Sequence, residues 1–220
     1  MNTTNHTTRQ EYAATYLGKG WSPIPIPRGE KNPGFNDWTK LRVTLEDIPK
    51  SPPAGFKGEG NIGLRLGTAS GELSDVDLDA PEALAVADIF LPGTPMVAGR
   101  KTKPRSHRFY ISSTPLLTKP FRDPLIKDPK QAMLLELRAN AATGNPHQTV
   151  VPPSLHKATG ELVSWDGPLD PALVDAQELM TSVTHAAVCS LVARYWKAKL
   201  YPHGHDLGMA LPALCCASRR

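Results

Sequence analysis

The chain has 220 residues, 40% of them hydrophobic and 21% charged, enough to build a packed core and too apolar for wholesale disorder. Its 22 prolines, clustered as in Pro23-Ile24-Pro25-Ile26-Pro27 and Pro152-Pro153, predict long ordered loops and argue against a helical bundle. A net charge of +4 permits a polyanionic partner without demanding one, and no apolar run approaches the ~20 residues of a membrane span, so a soluble, cytoplasmic protein is expected.

Residues 1–8 are polar, and Gln10 to Leu17 reads as a helix with Tyr12, Ala13, Tyr16 and Leu17 as its apolar stripe, ended by Gly18 and Gly20. Trp21 to Pro27 is extended and leads into a turn-rich loop, Arg28 to Pro33, closed by Trp38. Thr44-Leu45-Glu46-Asp47 has the form of a short helix start. Asn61 to Leu66 alternates as a strand, and the turn Ala69-Ser70-Gly71 predicts that the next strand is its neighbour. Pro81 to Phe90 reads as a helix with Pro81 at its first position and Asp79 or Ala80 as cap.

Pro95 to Ala98 and His107 to Ser112 read as a hairpin whose loop, residues 99–108, carries five Lys or Arg and a His. Met133 to Leu137 is the next strand, expected to pair with Thr149-Val150-Val151 across the turn from Ala141 to Pro146. Five or six strands with few helices give an α+β pattern. After Pro171 the composition changes: Ala172 to Lys199 reads as one or two helices, and residues 200–220 as a further apolar helix that stops abruptly, as if cut inside a following helical module. Two units are therefore expected, 9–170 and 172–220. Cys189, Cys215 and Cys216 form no Cys-x-x-Cys pair and have no His at zinc-site spacing, which argues against zinc and for a reducing compartment.

The richest segment is Leu73-Ser74-Asp75-Val76-Asp77-Leu78-Asp79. Side chains alternate along a strand, so an extended backbone puts Asp75, Asp77 and Asp79 on one face, where they repel unless cations gather there. Oxygen ligands in this number suit one or two Mg²⁺ or Mn²⁺ ions, and such sites handle phosphate. A calcium loop of the EF-hand type is excluded, because Ala80 and Val86 stand where it needs Gly and Glu; a solvated acidic strand face is the bland alternative. Glu136, an acid inside an apolar strand, is costly to bury unless it is coordinated or paired, for instance with Arg138. Lys103, Arg105, Ser106 and His107 bring cations, hydroxyl and imidazole together within five residues, a set suited to phosphate oxygens. The pair His203 and His205 reads as a structural cap.

The order of these features, an acidic strand, a basic loop ending in His and a second acidic strand, resembles the bifunctional primase/polymerase (prim-pol) family of the archaeo-eukaryotic primase superfamily, in particular its phage and mobile-element members. Its first motif is matched by Asp75-Val76-Asp77-Leu78-Asp79-Ala80-Pro81-Glu82-Ala83, its second by Arg105-Ser106-His107-Arg108-Phe109-Tyr110 and its third by Leu134-Leu135-Glu136-Leu137-Arg138. Further agreement runs from Gly20-Trp21 through Lys31 to Trp38, and from Gln148 to His156 with Thr159-Gly160 and Trp165. Over residues 10–170 the resemblance implies an RRM-like mixed or antiparallel sheet with flanking helices, followed by C-terminal helices.

It further implies a nucleotidyltransferase that joins NTPs or dNTPs on single-stranded DNA with two Mg²⁺ or Mn²⁺ ions and no zinc. Two of Asp75, Asp77 and Asp79, together with Glu136, are the implied metal ligands, with Asp77 common to both possible pairs. His107, Ser106, Lys103 and Arg105 are implied in gripping phosphates, Arg138 and Lys31 in weaker nucleotide or template contacts, and a helicase encoded C-terminally or separately as partner. The rival readings are a metal-dependent nuclease or phosphodiesterase built on the same acids, and a non-catalytic replication-initiation module that binds single-stranded DNA.

Overall fold

The computed structural model describes residues 8–143 and 146–196. It is an α+β fold in three layers: helices, a seven-stranded sheet and a three-stranded sheet. The small sheet has the order β1-β2-β8, from Ser22–Ile26, Asn61–Arg65 and Gln148–Val151, all antiparallel. The large sheet has the order β6-β7-β3-β5-β4-β9, from Lys119–Arg122, Met133–Arg138, Leu73–Asp77, Lys103–Ser112, Val97–Arg100 and Ser164–Trp165. β10, Ala172–Val174, pairs parallel with the far half of β5, beyond the stretch that β4 occupies.

The strand period of two divides the core. From β3, Val76 joins Leu135, Leu137 and Tyr110 under the helices α2 (Pro81–Phe90) and α4 (Ala176–Tyr195), whereas Leu73 joins Phe109, Ile62, Leu64 and Val151 between the sheets. α4 seats Leu179 and Val183, both fully buried, in the helical layer, each such side chain contributing ~1.5–3 kcal/mol. The segment read from sequence as the start of an appended module therefore packs, as far as Tyr195, in the same core as α2.

The local signals act as the residues dictate. Thr8 caps α1 (Arg9–Gly18) in a capping box with Glu11, and Gly20 at φ 78° turns the chain into β1. Buried Arg9 then fastens α1 to the small sheet through the carbonyls of Ile26 and Asn61. Ala80, not Asp79, is the N-cap of α2, with Pro81 at its first position. Thr44 starts a single 3₁₀ turn, Leu45–Asp47, in which the Asp47 carboxylate accepts from the Thr44 amide at 2.8 Å.

Several sequence expectations need correction. β2 and β3 do not pair as neighbouring strands of one sheet; only a bridge between Gly67 and Leu73 joins them before they part into different sheets. β8 pairs with β2 and not with β7. The supposed basic loop is mostly strand: β4 ends at Arg100, β5 begins at Lys103, and a bulge takes up the extra residues, with Arg105 at φ 54°. Among the described residues there are ten strands rather than five or six, and Ala172–Val174 is a strand where a helix start was expected. α3, Pro129–Ala132, is a short further helix. The helix expected in residues 200–220, the pair His203 and His205, and the cysteines Cys215 and Cys216 lie outside the described residues. No helix among the described residues is long and apolar enough to cross a membrane.

Candidate active site

β3 is buried along its whole length, so its acids are desolvated and need partners. Antiparallel register sets Asp77 directly opposite Glu136 of β7 and opposite His107 of β5, and Asp75 opposite Arg138. Three carboxylates, an imidazole and a guanidinium are thereby brought together by three adjacent strands. Between the two sheets at this point lies a cavity of about 390 Å³, within the range usual for small-molecule sites. Asp77, Glu136, Arg138, His107, Ser106 and Lys103 line it from the large sheet and Asp79 from the turn between β3 and α2; Lys31, Gln148, Thr149 and His156 line it from the side of the small sheet.

The three aspartates part company here. Asp77 and Asp79 reach the cavity, whereas Asp75 lies beneath it, its side chain fully buried and its Oδ2 3.0 Å from His107 Nδ1. A carboxylate only accepts, so Nδ1 donates and Nε2 is the ring nitrogen left for a ligand. The other carboxylate oxygen, Asp75 Oδ1, is buried without a hydrogen-bond partner.

Arg138 bridges the acidic pair. Its Nη2 is 2.6 Å from Asp77 Oδ2 and its Nε is 2.7 Å from Glu136 Oε2. Burial pushes the Arg138 pKa down, but Asp77, Asp75 and Glu136 outweigh it and the net direction is up. For Asp77 burial works against the charge, yet His107, Arg138 and Lys103 hold the carboxyl below its usual range. Asp79 goes the other way: burial and the neighbouring Asp77 raise it to about 6, against the pull of Lys103, whose Nζ is 3.9 Å away. Burial would likewise neutralise His107, but Asp77 and Asp75 raise its pKa and favour the imidazolium.

Of the residues expected to grip phosphate, Lys103, Ser106 and His107 are brought together, and Ser106 Oγ is buried with no hydrogen-bond partner. Arg105 is not: the bulge turns it away to Asp166 at 3.1 Å and Asp88 at 4.0 Å. Lys31 reaches the cavity from across the interlayer, its carbonyl held by Gln148 Nε2 at 2.7 Å. Sequence reasoning gave no role to Arg100, His147, Thr149, His156 or Lys157, which line the same cavity. The segment from Gln148 to His156 carried the available signal, a strand followed by Pro152-Pro153 that returns the chain to the site.

Mg²⁺ and Mn²⁺ take oxygen ligands, and Asp77, Asp79 and Glu136 bring carboxylates to one cavity, so the donor chemistry fits. Among the described residues no three His, Cys, Asp or Glu side chains converge as a metal-holding group, and the Arg138 guanidinium is bonded to two of the carboxylates concerned.

The family model for the N-terminal domain of bifunctional DNA primase/polymerase (Prim-Pol) matches residues 13–176, which include every cavity-lining residue named above. No curated protein sequence matches the chain.

Proposed function

The chain belongs to the bifunctional DNA primase/polymerase family, and from that membership we propose that it is a nucleotidyltransferase that joins NTPs or dNTPs in template order on single-stranded DNA. The observation that carries this reading is the direct pairing of Asp77 with Glu136 on a cavity that Lys31, Lys103, Ser106 and His107 also line. Acids and cations facing one space suit a triphosphate bound partly through divalent ions.

The family generally uses divalent metals, and here Asp77, Asp79 and Glu136 would hold them. Such ions, when bound, activate the attacking 3′-hydroxyl and stabilise charge on the phosphates. The chain's own residues do the rest. Lys103, Ser106 and His107 bind and orient the phosphate tail, Asp75 fixes the His107 ring, and Lys31 closes on the nucleotide from the small-sheet side. A helicase that delivers the unwound strand is the proposed further partner.

A mixed-sequence single strand incubated with the full chain and Mn²⁺, with NTPs and dNTPs supplied separately, tests the reading. Extended products with at least one nucleotide set are expected. Strand shortening without extension would assign the site to a nuclease, and strand binding with neither product to a non-catalytic module; either outcome overturns the proposal.

A further inference from the structure

The cations around the acids are not equivalent. Lys103 stands 3.9 Å from Asp79 and His107 is 3.8 Å from Asp77, but Arg138 makes two short ion pairs, one to each of two facing acids. Like charges directly opposite on paired strands repel, so the Asp77 and Glu136 pair needs a positive charge between its members. A guanidinium meets that need well, because its rigid fork offers separate N–H groups to separate carboxylates. The two oxygens it engages, Asp77 Oδ2 and Glu136 Oε2, belong to the carboxylates that would ligate a divalent ion.

We propose that Arg138 is a built-in counter-cation that competes with divalent metal for Asp77 and Glu136, so that metal binding requires the guanidinium to leave them. The proposal rests on the reading of Asp77 and Glu136 as metal ligands. Its physical basis is competition for charge: a divalent ion held by these carboxylates would be drawn by the same two negative charges that Arg138 now neutralises and would be repelled by a guanidinium left in place. Arg138 is thereby a positioning residue that holds the acids together and lowers their apparent metal affinity by the fraction of time it occupies them.

Mn²⁺ binding to the full chain, followed by calorimetry or by the electron-spin signal of free Mn²⁺, tests this in four proteins: wild type, Arg138→Gln, Arg138→Lys and Asp77→Asn. Arg138→Gln is expected to bind Mn²⁺ about tenfold more tightly than wild type, with Arg138→Lys between them. Thermal denaturation supplies a second measurement should Arg138→Gln be destabilised: its melting temperature should lie below wild type in chelator and rise more steeply with Mn²⁺. Equal or weaker Mn²⁺ affinity in Arg138→Gln, with binding lost in Asp77→Asn, overturns the counter-cation role alone. Wild-type Mn²⁺ binding in Asp77→Asn overturns the metal reading of the site itself.

Discussion

Asp77 on β3 and Glu136 on β7 face each other directly across an antiparallel pair. Fifty-eight residues of sequence lie between two acids that the register makes immediate neighbours, and a mostly buried pair of this kind costs stability unless it serves a charge. Asp77→Asn and Glu136→Gln keep the side-chain volume and remove only the negative charge. Each is expected to lower nucleotide incorporation about 100-fold or more at saturating nucleotide, with an unchanged circular-dichroism spectrum. Incorporation at the wild-type rate in either variant would remove that acid from the chemistry.

Asp75 is predicted to behave differently from Asp77 although both stand on β3. It is fully buried and bonded to His107, and it does not line the cavity. Asp75→Asn should therefore leave Mn²⁺ affinity close to wild type while raising KM for nucleotide, because an Asn amide no longer favours the imidazolium that lines the cavity. His107→Ala should raise KM in the same direction, by about tenfold for the loss of one charge-assisted hydrogen bond. Loss of Mn²⁺ binding in Asp75→Asn, as large as in Asp77→Asn, would place Asp75 among the metal ligands instead.

The α+β class and the residues that share the cavity were more legible in the sequence than the strand pairing that gathers them. Alternation revealed β3, a buried acid marked β7, and the serine and histidine of β5 stood next to cations, so Asp77, Glu136, Ser106 and His107 could be gathered before any pairing was known. Pairing itself was not legible. Closeness in sequence pairs β8 with β7, yet Val150 pairs with Gly63 across the small sheet, and nothing in four residues of strand declares its partner. β6, with Pro120 and half-exposed residues, shows no alternation, and β9 is two residues long. Arg105 misled because charge density says nothing of direction: a left-handed residue in a bulge sends its side chain away from the cavity.

That bulge depends on Gly99. A Cβ there would stand 2.5 Å from the Arg105 amide nitrogen and 2.7 Å from the Lys103 carbonyl oxygen, both backbone atoms that cannot swing aside. Gly99→Ala must push β4 away from the start of β5, which carries Lys103 and Ser106 into the cavity. The expected outcome is a higher KM for nucleotide at little changed Mn²⁺ affinity, since Asp77 and Glu136 stand on β3 and β7, across β5 from the displaced β4. Kinetics indistinguishable from wild type would show that the hairpin does not position the phosphate grip.

Away from the site, Asp123 links the stability of α4 to pH. Its carboxylate, buried between β6 and α3, accepts from the Leu125 amide at 2.9 Å, the Tyr195 hydroxyl at 2.7 Å and Arg194 Nη1 at 3.1 Å. Arg194 also reaches Glu82 in the first turn of α2 at 3.5 Å, so the last turn of α4 is tied to α2 and to the loop before α3. Burial opposes the charge on Asp123, but the Leu125 amide, Tyr195 and Arg194 outweigh it, and the pKa in the folded protein is lowered. A carboxyl that is more acidic folded than unfolded contributes its full stability above the unfolded value of about 3.9 and loses it as the pH falls toward the folded value. Asp123→Asn, which keeps an acceptor for the Leu125 amide but not the charge, should therefore melt below wild type at pH 7. The gap should narrow as the pH drops below about 4, where wild type loses the same charge. Melting curves followed by circular dichroism across that range check it, and a gap that stays constant with pH would show that the Asp123 charge contributes nothing to holding α4.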